Sequence, residues 1–249
     1  MFTVLITGAT GGIGKALALE YASERVNLIL LGRNQPALES IRLLCEKQGA
    51  KVQLYCCDLS SVQESLNLSS EIAENHTVDL FISNAGLTNS TRGGKTEEWG
   101  AIESLLMVNL LGSLAISHYI LEGMQQRGVG HIAYVSSLGA YYGMPLTPAY
   151  SASKAGLKAY AEAMRGLLAA RSIAVTLITP GFVKTSLSDK FPGEKPFMIG
   201  AEQAAQLIKR GLDRKQRVIT FPLLLTLGMR VLSILPAKVA DTILIYLKY

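Results

Sequence analysis

Val4-Leu5-Ile6-Thr7-Gly8-Ala9-Thr10-Gly11-Gly12-Ile13-Gly14 is the stretch that decides the fold. Val4 to Thr7 reads as a short buried strand, and Lys15-Ala16-Leu17-Ala18-Leu19-Glu20 takes up a helical pattern directly after the glycines. A strand, a glycine turn and a helix start follow one another without a spacer. Such a turn lets backbone approach a pyrophosphate closely, while the helix N-terminus presents unpaired N–H groups and the positive end of its dipole. The stretch predicts a dinucleotide site built on Gly8, Thr10, Gly11, Gly12, Ile13 and Gly14. The plainer alternative is a glycine connection that only packs strand against helix.

Outward from it, apolar runs rich in β-formers alternate with helical periods along the chain. Strands are expected near 3–7, 27–31, 51–56, 79–83, 130–136 and 173–179, with a last one at Val218-Ile219-Thr220. Helices are expected near 12–24, 35–48, 61–74, 100–126, 149–171 and 201–213. This alternation predicts an α/β fold, a doubly wound Rossmann-type parallel sheet with helices on both faces. No linker divides the middle, so residues 1–249 are expected to form a single dinucleotide-binding domain. Thr88 to Lys95 reads as an exposed loop, and Thr185 to Pro196 as a mobile segment over the site or a plain connection.

Hydrophobic residues at 49% and charged residues at 17% suit a compact enzyme with a large core and exclude a disordered chain. Cys45, Cys56 and Cys57 make no disulfide framework and are expected as core thiols, the adjacent pair pointing to opposite faces. His76, His118 and His131 have no neighbours at ligand spacing, so they are expected at the surface or its boundary and no metal site is predicted. The first strand starts so close to Met1 that a leader peptide is not expected, which points to the cytoplasm. The net charge of +5 is uneven: residues 195–249 hold nine Lys/Arg against three Asp/Glu, and residues 1–194 hold 15 against 16. Without a nucleic-acid reading module, this basic and apolar end suggests a membrane surface rather than nucleic acid.

Tyr150-Ser151-Ala152-Ser153-Lys154 places a tyrosine and a lysine four residues apart on one helix face, where an ammonium can lower the phenol's pKa. The pairing makes an acid/base of a phenol. Reduction of a ketone needs a proton delivered to oxygen, and a second hydroxyl that holds the carbonyl suits that geometry. Tyr119, Tyr141 and Tyr142 lack a lysine at the same spacing and are expected as pocket wall or packing.

Taken in order, these residues resemble the short-chain dehydrogenase/reductase family over about 1–185. Thr7-Gly8-x-x-x-Gly12-x-Gly14 is similar to its cofactor turn, Cys57-Asp58-Leu59 to its adenine contact, and Asn84-Ala85-Gly86 to the element after its fourth strand. Asn109, Ser137, Tyr150 and Lys154 resemble its catalytic tetrad, with Ser137 preferred over Ser136 by spacing. Pro180-Gly181-Phe182-Val183-Lys184-Thr185 resembles its nicotinamide-side loop. The resemblance implies Tyr150 as acid or base, Ser137 as positioning donor, Lys154 as the residue that holds the nicotinamide ribose, and Asn109 as holder of a water linking lysine to solvent. It also implies a homodimer or homotetramer. Gly8-x-x-Gly11-x-x-Gly14 fits the family's longer branch of epimerases and dehydratases as well, but only 68 residues follow Gly181.

The end of the second strand carries Gly32 and Arg33 and no acid, which favours NADP over NAD, since an arginine suits a 2′-phosphate. Asn34 offers a further phosphate contact. In the C-terminal segment, Leu224, Leu227, Val231, Leu232 and Leu235 recur at helical spacing with Arg230 on another side, predicting a short amphipathic helix. Arg230 and Pro236 interrupt the roughly 18 to 20 uncharged residues that a membrane span needs. Residues 221–249 are open to four readings: interfacial anchor, lid over the pocket, subunit contact, or packing on the core. An apolar or lipid-like ketone or alcohol is the expected substrate. The alternatives are a dinucleotide sensor or scaffold without turnover, and an epimerase or dehydratase that retains its cofactor.

Overall fold

A computed structural model describes residues 1–91 and 95–247. Arg92, Gly93 and Gly94 of the expected loop, and Lys248 and Tyr249 of the C-terminal segment, lie outside the described residues. The chain runs β1 (Phe2–Thr7), α1 (Gly12–Tyr21), β2 (Val26–Gly32), α2 (Gln35–Glu46), β3 (Lys51–Cys56), α3 (Val62–Asn75) and β4 (Leu80–Ser83). It continues through α4 (Trp99–Leu106), a π-helical stretch (Met107–Gly112), α5 (Ser113–Arg127), β5 (Val129–Val135), α6 (Pro148–Leu167) and β6 (Ser172–Pro180). Last come α7 (Ser186–Asp189), α8 (Ala201–Asp213), β7 (Val218–Phe221), α9 (Leu223–Ile234) and α10 (Ala237–Tyr246).

All seven strands are parallel, in the order β3-β2-β1-β4-β5-β6-β7. The order reverses between β1 and β4, and a crevice opens there beyond the strands' carboxyl ends. Strand period two sends Val4, Ile6, Leu28 and Leu30 to one face, against Leu17, Leu38, Ala204 and Ile208 of α1, α2 and α8. Leu5, Ile29, Phe81 and Tyr134 go to the other, against Ile72, Ile116 and Leu157 of α3, α5 and α6. Burial on both faces is why the strands read as continuous apolar runs. Truncating the fully buried Phe81 to alanine would cost about 3–5 kcal/mol.

The continuous helix Trp99–Arg127 is long and apolar enough to cross a membrane, but more than half of its most apolar 18-residue stretch is buried within the protein. Its hydropathy follows from packing beside the sheet. Two expectations about single residues are corrected. His131 is buried, not at the boundary, because it sits on β5 with its ring bonded to Thr176 Oγ1 at 2.8 Å; burial lowers its pKa to about 4. Cys56 is exposed, while Cys45 and Cys57 are core thiols.

Candidate functional site

The turn after β1 is clamped from the neighbouring strand. Thr7 Oγ1 accepts hydrogen bonds from the backbone N–H groups of Asn84 and Ala85, both at 3.0 Å, and Asn84 Nδ2 donates back to the carbonyl oxygens of Thr7 (3.1 Å) and Gly8 (3.3 Å). Gly8 has φ +65°, a conformation that costs a side-chain-bearing residue steric strain. A Cβ on Gly12 would strike Thr185 Cγ2, and one on Gly14 would strike the Gly8 carbonyl oxygen. Gly14 therefore packs beneath the turn, whereas Gly8, Thr10, Gly11, Gly12 and Ile13 line the cavity above it. Among the described residues no side chain caps the N-terminus of α1 at Gly11, which leaves its first N–H groups for a ligand. An uncapped helix end behind a turn without room for side chains fits a dinucleotide pyrophosphate.

The cavity measures about 810 Å³. Arg33, Asn34, Asp58 and Leu59 line one end, and Ala85, Gly86, Pro180, Gly181, Val183 and Thr185 border its middle, with Asn84 beside them. Arg33 Nη1 lies 3.7 Å from Asp58 Oδ2 with both side chains about half exposed, a weak pair that leaves the guanidinium free to turn to an anion. Burial alone would raise Asp58; hydrogen bonds from Ser60 and the nearby Arg33 outweigh it and hold the carboxyl below its ordinary pKa. Asn34 Oδ1 accepts from the Ala37 N–H at 3.0 Å and so caps α2. The asparagine followed by Pro36 is a helix-start signal that the sequence reading passed over.

Ser136 and Ser137 follow β5 and alternate as strand residues do. The buried Ser136 Oγ donates to the Lys154 carbonyl oxygen at 2.8 Å, while Ser137 faces the cavity and is hydrogen-bonded to the Tyr150 hydroxyl. Helix α6 brings Tyr150 and Lys154 to the same wall. Lys154 is buried, with Nζ donating to the Val135 carbonyl oxygen at 2.9 Å and lying 6.0 Å from the centre of the Tyr150 ring. Burial lowers its pKa to about 8. The expectation that the ammonium depresses the phenol is not met: burial pushes Tyr150 above its ordinary value, and the Ser137 hydrogen bond draws it only part of the way back. Tyr150 thus keeps its proton at neutral pH.

Asn109 lies behind the cavity wall in the π-helical stretch, fully buried. Its Oδ1 accepts from the Leu87 N–H, and its Nδ2 donates to the Leu87 carbonyl oxygen and to Ser153 Oγ, each at 3.0 Å or less. It ties the segment after β4 to helix α6. Sequence reasoning missed Glu97, whose Oε2 accepts from the Ala149 N–H at 2.8 Å at the start of α6, next to Tyr150; its buried Oε1 has no hydrogen-bond partner among the described residues.

The other end of the cavity is apolar. Leu187 and Phe191 belong to the Thr185–Pro196 segment, which does lie over the site, and Leu225, Met229, Leu232 and Leu244 come from α9 and α10. With Leu138 and Ala240, the last three form a cluster separate from the two main cores, joined by Tyr141, Tyr142 and Met144. Polar contacts tie α9 and α10 to it: Tyr142 Oη donates to Asp241 Oδ1 at 2.9 Å, and the Arg230 guanidinium lies over the Tyr141 ring at 5.7 Å. The expected α9 stripe divides. Leu232 is buried, but Leu224, Leu227 and Val231 face outward. Helix α10 was not read from the sequence, although Val239, Ile243 and Leu247 recur at a spacing of four after Pro236.

A profile of the short chain dehydrogenase family matches residues 2–195. An uncharacterized oxidoreductase of Myxococcus xanthus is 33% identical over 242 residues, covering 96% of this chain and 94% of that protein. The dehydrogenase/reductase SDR family protein 7-like of Drosophila melanogaster is 32% identical over 193 residues; that match covers 74% of this chain and 58% of that longer protein. Among solved structures, a short-chain dehydrogenase from Sphingobium yanoikuyae in complex with NADPH superposes with TM-score 0.82 at 24% identity, covering 90% of this chain and 89% of that one. A short-chain dehydrogenase/reductase from Burkholderia phymatum in complex with NAD gives 0.82 at 21% identity, covering 92% of both. At those identities the superpositions speak for the fold.

Proposed function

Because this chain belongs to the short-chain dehydrogenase family and is an NAD(P)-dependent enzyme of it, we propose that it interconverts a ketone and a secondary alcohol, with NADP preferred over NAD and an apolar, lipid-like substrate. The observation that carries the reading is one cavity in which Tyr150 and Ser137 stand between a glycine cradle and an apolar wall. The cradle takes the dinucleotide through Gly8, Thr10, Gly11, Gly12 and Ile13, with Gly14 packed beneath and Asn84 clamping the turn. Asp58 and Leu59 border the adenine end; Ala85, Gly86, Pro180, Gly181, Val183 and Thr185 border the nicotinamide end. Arg33, at a strand end that holds no acid, and Asn34 beside it favour the 2′-phosphate.

A bound nicotinamide dinucleotide supplies or accepts the hydride; this chain's residues manage the proton. Ser137 Oγ donates a hydrogen bond to the substrate oxygen and aims it at Tyr150, whose hydroxyl delivers its proton there in reduction. In oxidation the phenolate takes that proton back. Lys154, when charged, stabilises the phenolate left by proton transfer and would hold the nicotinamide ribose of a bound cofactor, while Asn109 holds α6 and Leu87 in register. The Leu225, Met229 and Leu232 side excludes water from the reacting carbon.

The enzyme acts as a homodimer or homotetramer in the cytoplasm, with peripheral membrane contact through 221–249. Residues 1–249 serve as one dinucleotide-binding unit. Fluorescence titration with NADPH and NADH, followed by cofactor consumption against ketones that include long-chain and steroid members, tests the reaction. Tighter NADPH binding with turnover of an apolar ketone is the expected result. Tight binding with no consumption on any ketone would refute the proposal and favour a sensor or a retained-cofactor enzyme. Light scattering of the purified chain tests the oligomer, and a monomer at all concentrations would remove it.

A further inference from the structure

Helices α9 and α10 are apolar on two sides. Inward, Leu225, Met229, Leu232 and Leu244 line the cavity. Outward, Leu224 (64% exposed), Leu227 (61%) and Ile234 (81%) on α9 and Tyr246 (85%) on α10 stand in the open, with Val231 and Val239 also exposed. A helix that is apolar all round belongs where both sides are covered, and among the described residues nothing covers the outer side.

Three further observations say what does. First, the patch is bordered by exposed cations: residues 223–247 carry Arg230 and Lys238 and a single acid, Asp241, whose carboxylate accepts the Tyr142 hydroxyl's hydrogen bond. Second, Tyr246 stands almost fully exposed at the end of α10, and a ring with an apolar body and a polar tip suits the headgroup level of a bilayer. Third, Ile243 (37% exposed) and Leu247 (50%) belong to the outer surface and to the cavity lining at once. The outer patch and the substrate end of the cavity form one continuous apolar surface.

We propose that the outward face of α9–α10 docks on an anionic lipid bilayer, with the rim at Ile243 and Leu247 opening there, so that the apolar substrate passes between lipid and cavity without crossing water. A second copy of the chain seated on the same patch would close that rim; a bilayer is both the covering phase and a reservoir of substrate. The Asp241–Tyr142 and Arg230–Tyr141 contacts hold the docked helices in register with the loop that follows Ser137. The substrate route rests on the reaction proposed above; the docking does not.

The test is co-sedimentation of the full chain with vesicles of phosphatidylcholine, alone and mixed with phosphatidylglycerol, for the wild type and for Leu224→Asp/Leu227→Asp. Neither leucine lines the cavity. The wild type is expected to pellet with the mixed vesicles, less with phosphatidylcholine alone, and less again at high salt. The double variant should partition at least roughly tenfold more weakly while turning over a small water-soluble ketone as the wild type does. If the aspartates disturb folding by circular dichroism, Leu224→Ser/Leu227→Ser replaces them. Wild-type protein left in the supernatant with both vesicle types overturns the docking. So does a wild-type dimer, seen by light scattering, that the double variant dissociates, since it gives the face to a second copy. Vesicle binding without turnover of any ketone refutes the proposed reaction and leaves the docking standing.

Discussion

The two ends of the cavity are built by different means. At the dinucleotide end, backbone groups do much of the positioning: four hydrogen bonds join Thr7 and Gly8 to Asn84 and Ala85 just beyond β4, and Gly8, Gly12 and Gly14 sit where a Cβ would collide. At the substrate end, a small apolar cluster from α9, α10 and the Tyr141–Met144 loop packs separately from the main cores, with the Tyr142–Asp241 and Arg230–Tyr141 side-chain contacts across it. Rigidity at the first suits a ligand that does not vary. The smaller buried cluster at the second suits a lid, because segments with few buried contacts open at the lowest cost. Tyr150 and Ser137 stand at the junction, so each substitution below should register on one side of it.

The largest effect belongs to the junction itself. Tyr150→Phe removes the proton donor and is expected to lower kcat by about 10²–10⁴-fold, while NADPH affinity by fluorescence titration stays as in the wild type. Full activity in that variant would sink the assignment of Tyr150. Next comes Arg33→Ala, which should weaken NADPH by roughly ten- to a hundredfold and leave NADH nearly unchanged, the loss of one charge-assisted contact. Equal weakening of both cofactors would show that Arg33 does not read the 2′-phosphate.

A steric effect of about tenfold on NADPH affinity is expected for Gly12→Ala, whose new methyl meets Thr185 Cγ2. Adding Thr185→Ser removes that Cγ2, keeps the hydroxyl that caps α7, and should restore part of the loss. A double variant no better than Gly12→Ala would place the damage elsewhere. The pH dependence follows from Lys154. With its pKa lowered to about 8, it is charged below that pH and neutral above it, so reduction should decline as pH rises through about 8 as the phenolate loses its counter-charge. A rate that stays flat to pH 9 (about one unit beyond) would separate the lysine from the proton step. The smallest effect is that of Glu97→Gln, which keeps an acceptor for the Ala149 N–H but removes the charge at the start of α6; a stability loss of about 1 kcal/mol is expected in thermal or denaturant unfolding.

The same contrast explains what could be read in the sequence. The Val4–Gly14 turn, the alternation of strands and helices, and Tyr150-x-x-x-Lys154 are local patterns, and local patterns carry their own geometry. Which face of α9 would be covered is not local: periodicity groups Leu224, Leu227 and Val231 on one side but says nothing of whether protein lies against it. The π-helical stretch around Asn109 was hidden for a similar reason, since its widened turn accompanies contacts with Leu87 and Ser153, 22 and 44 residues away. The pKa of Tyr150 departed from expectation because spacing brings Lys154 to the right face, while burial and the Val135 carbonyl decide the electrostatics.

The most direct test of this division of labour is kcat/KM with NADPH for a series of methyl ketones of increasing chain length. If α9 and α10 form the substrate wall, kcat/KM should rise by roughly fourfold per methylene, about 0.8 kcal/mol each, until the apolar end is filled, with the NADPH affinity of the free enzyme constant across the series. A flat dependence on chain length, or a preference for short polar ketones, would contradict it.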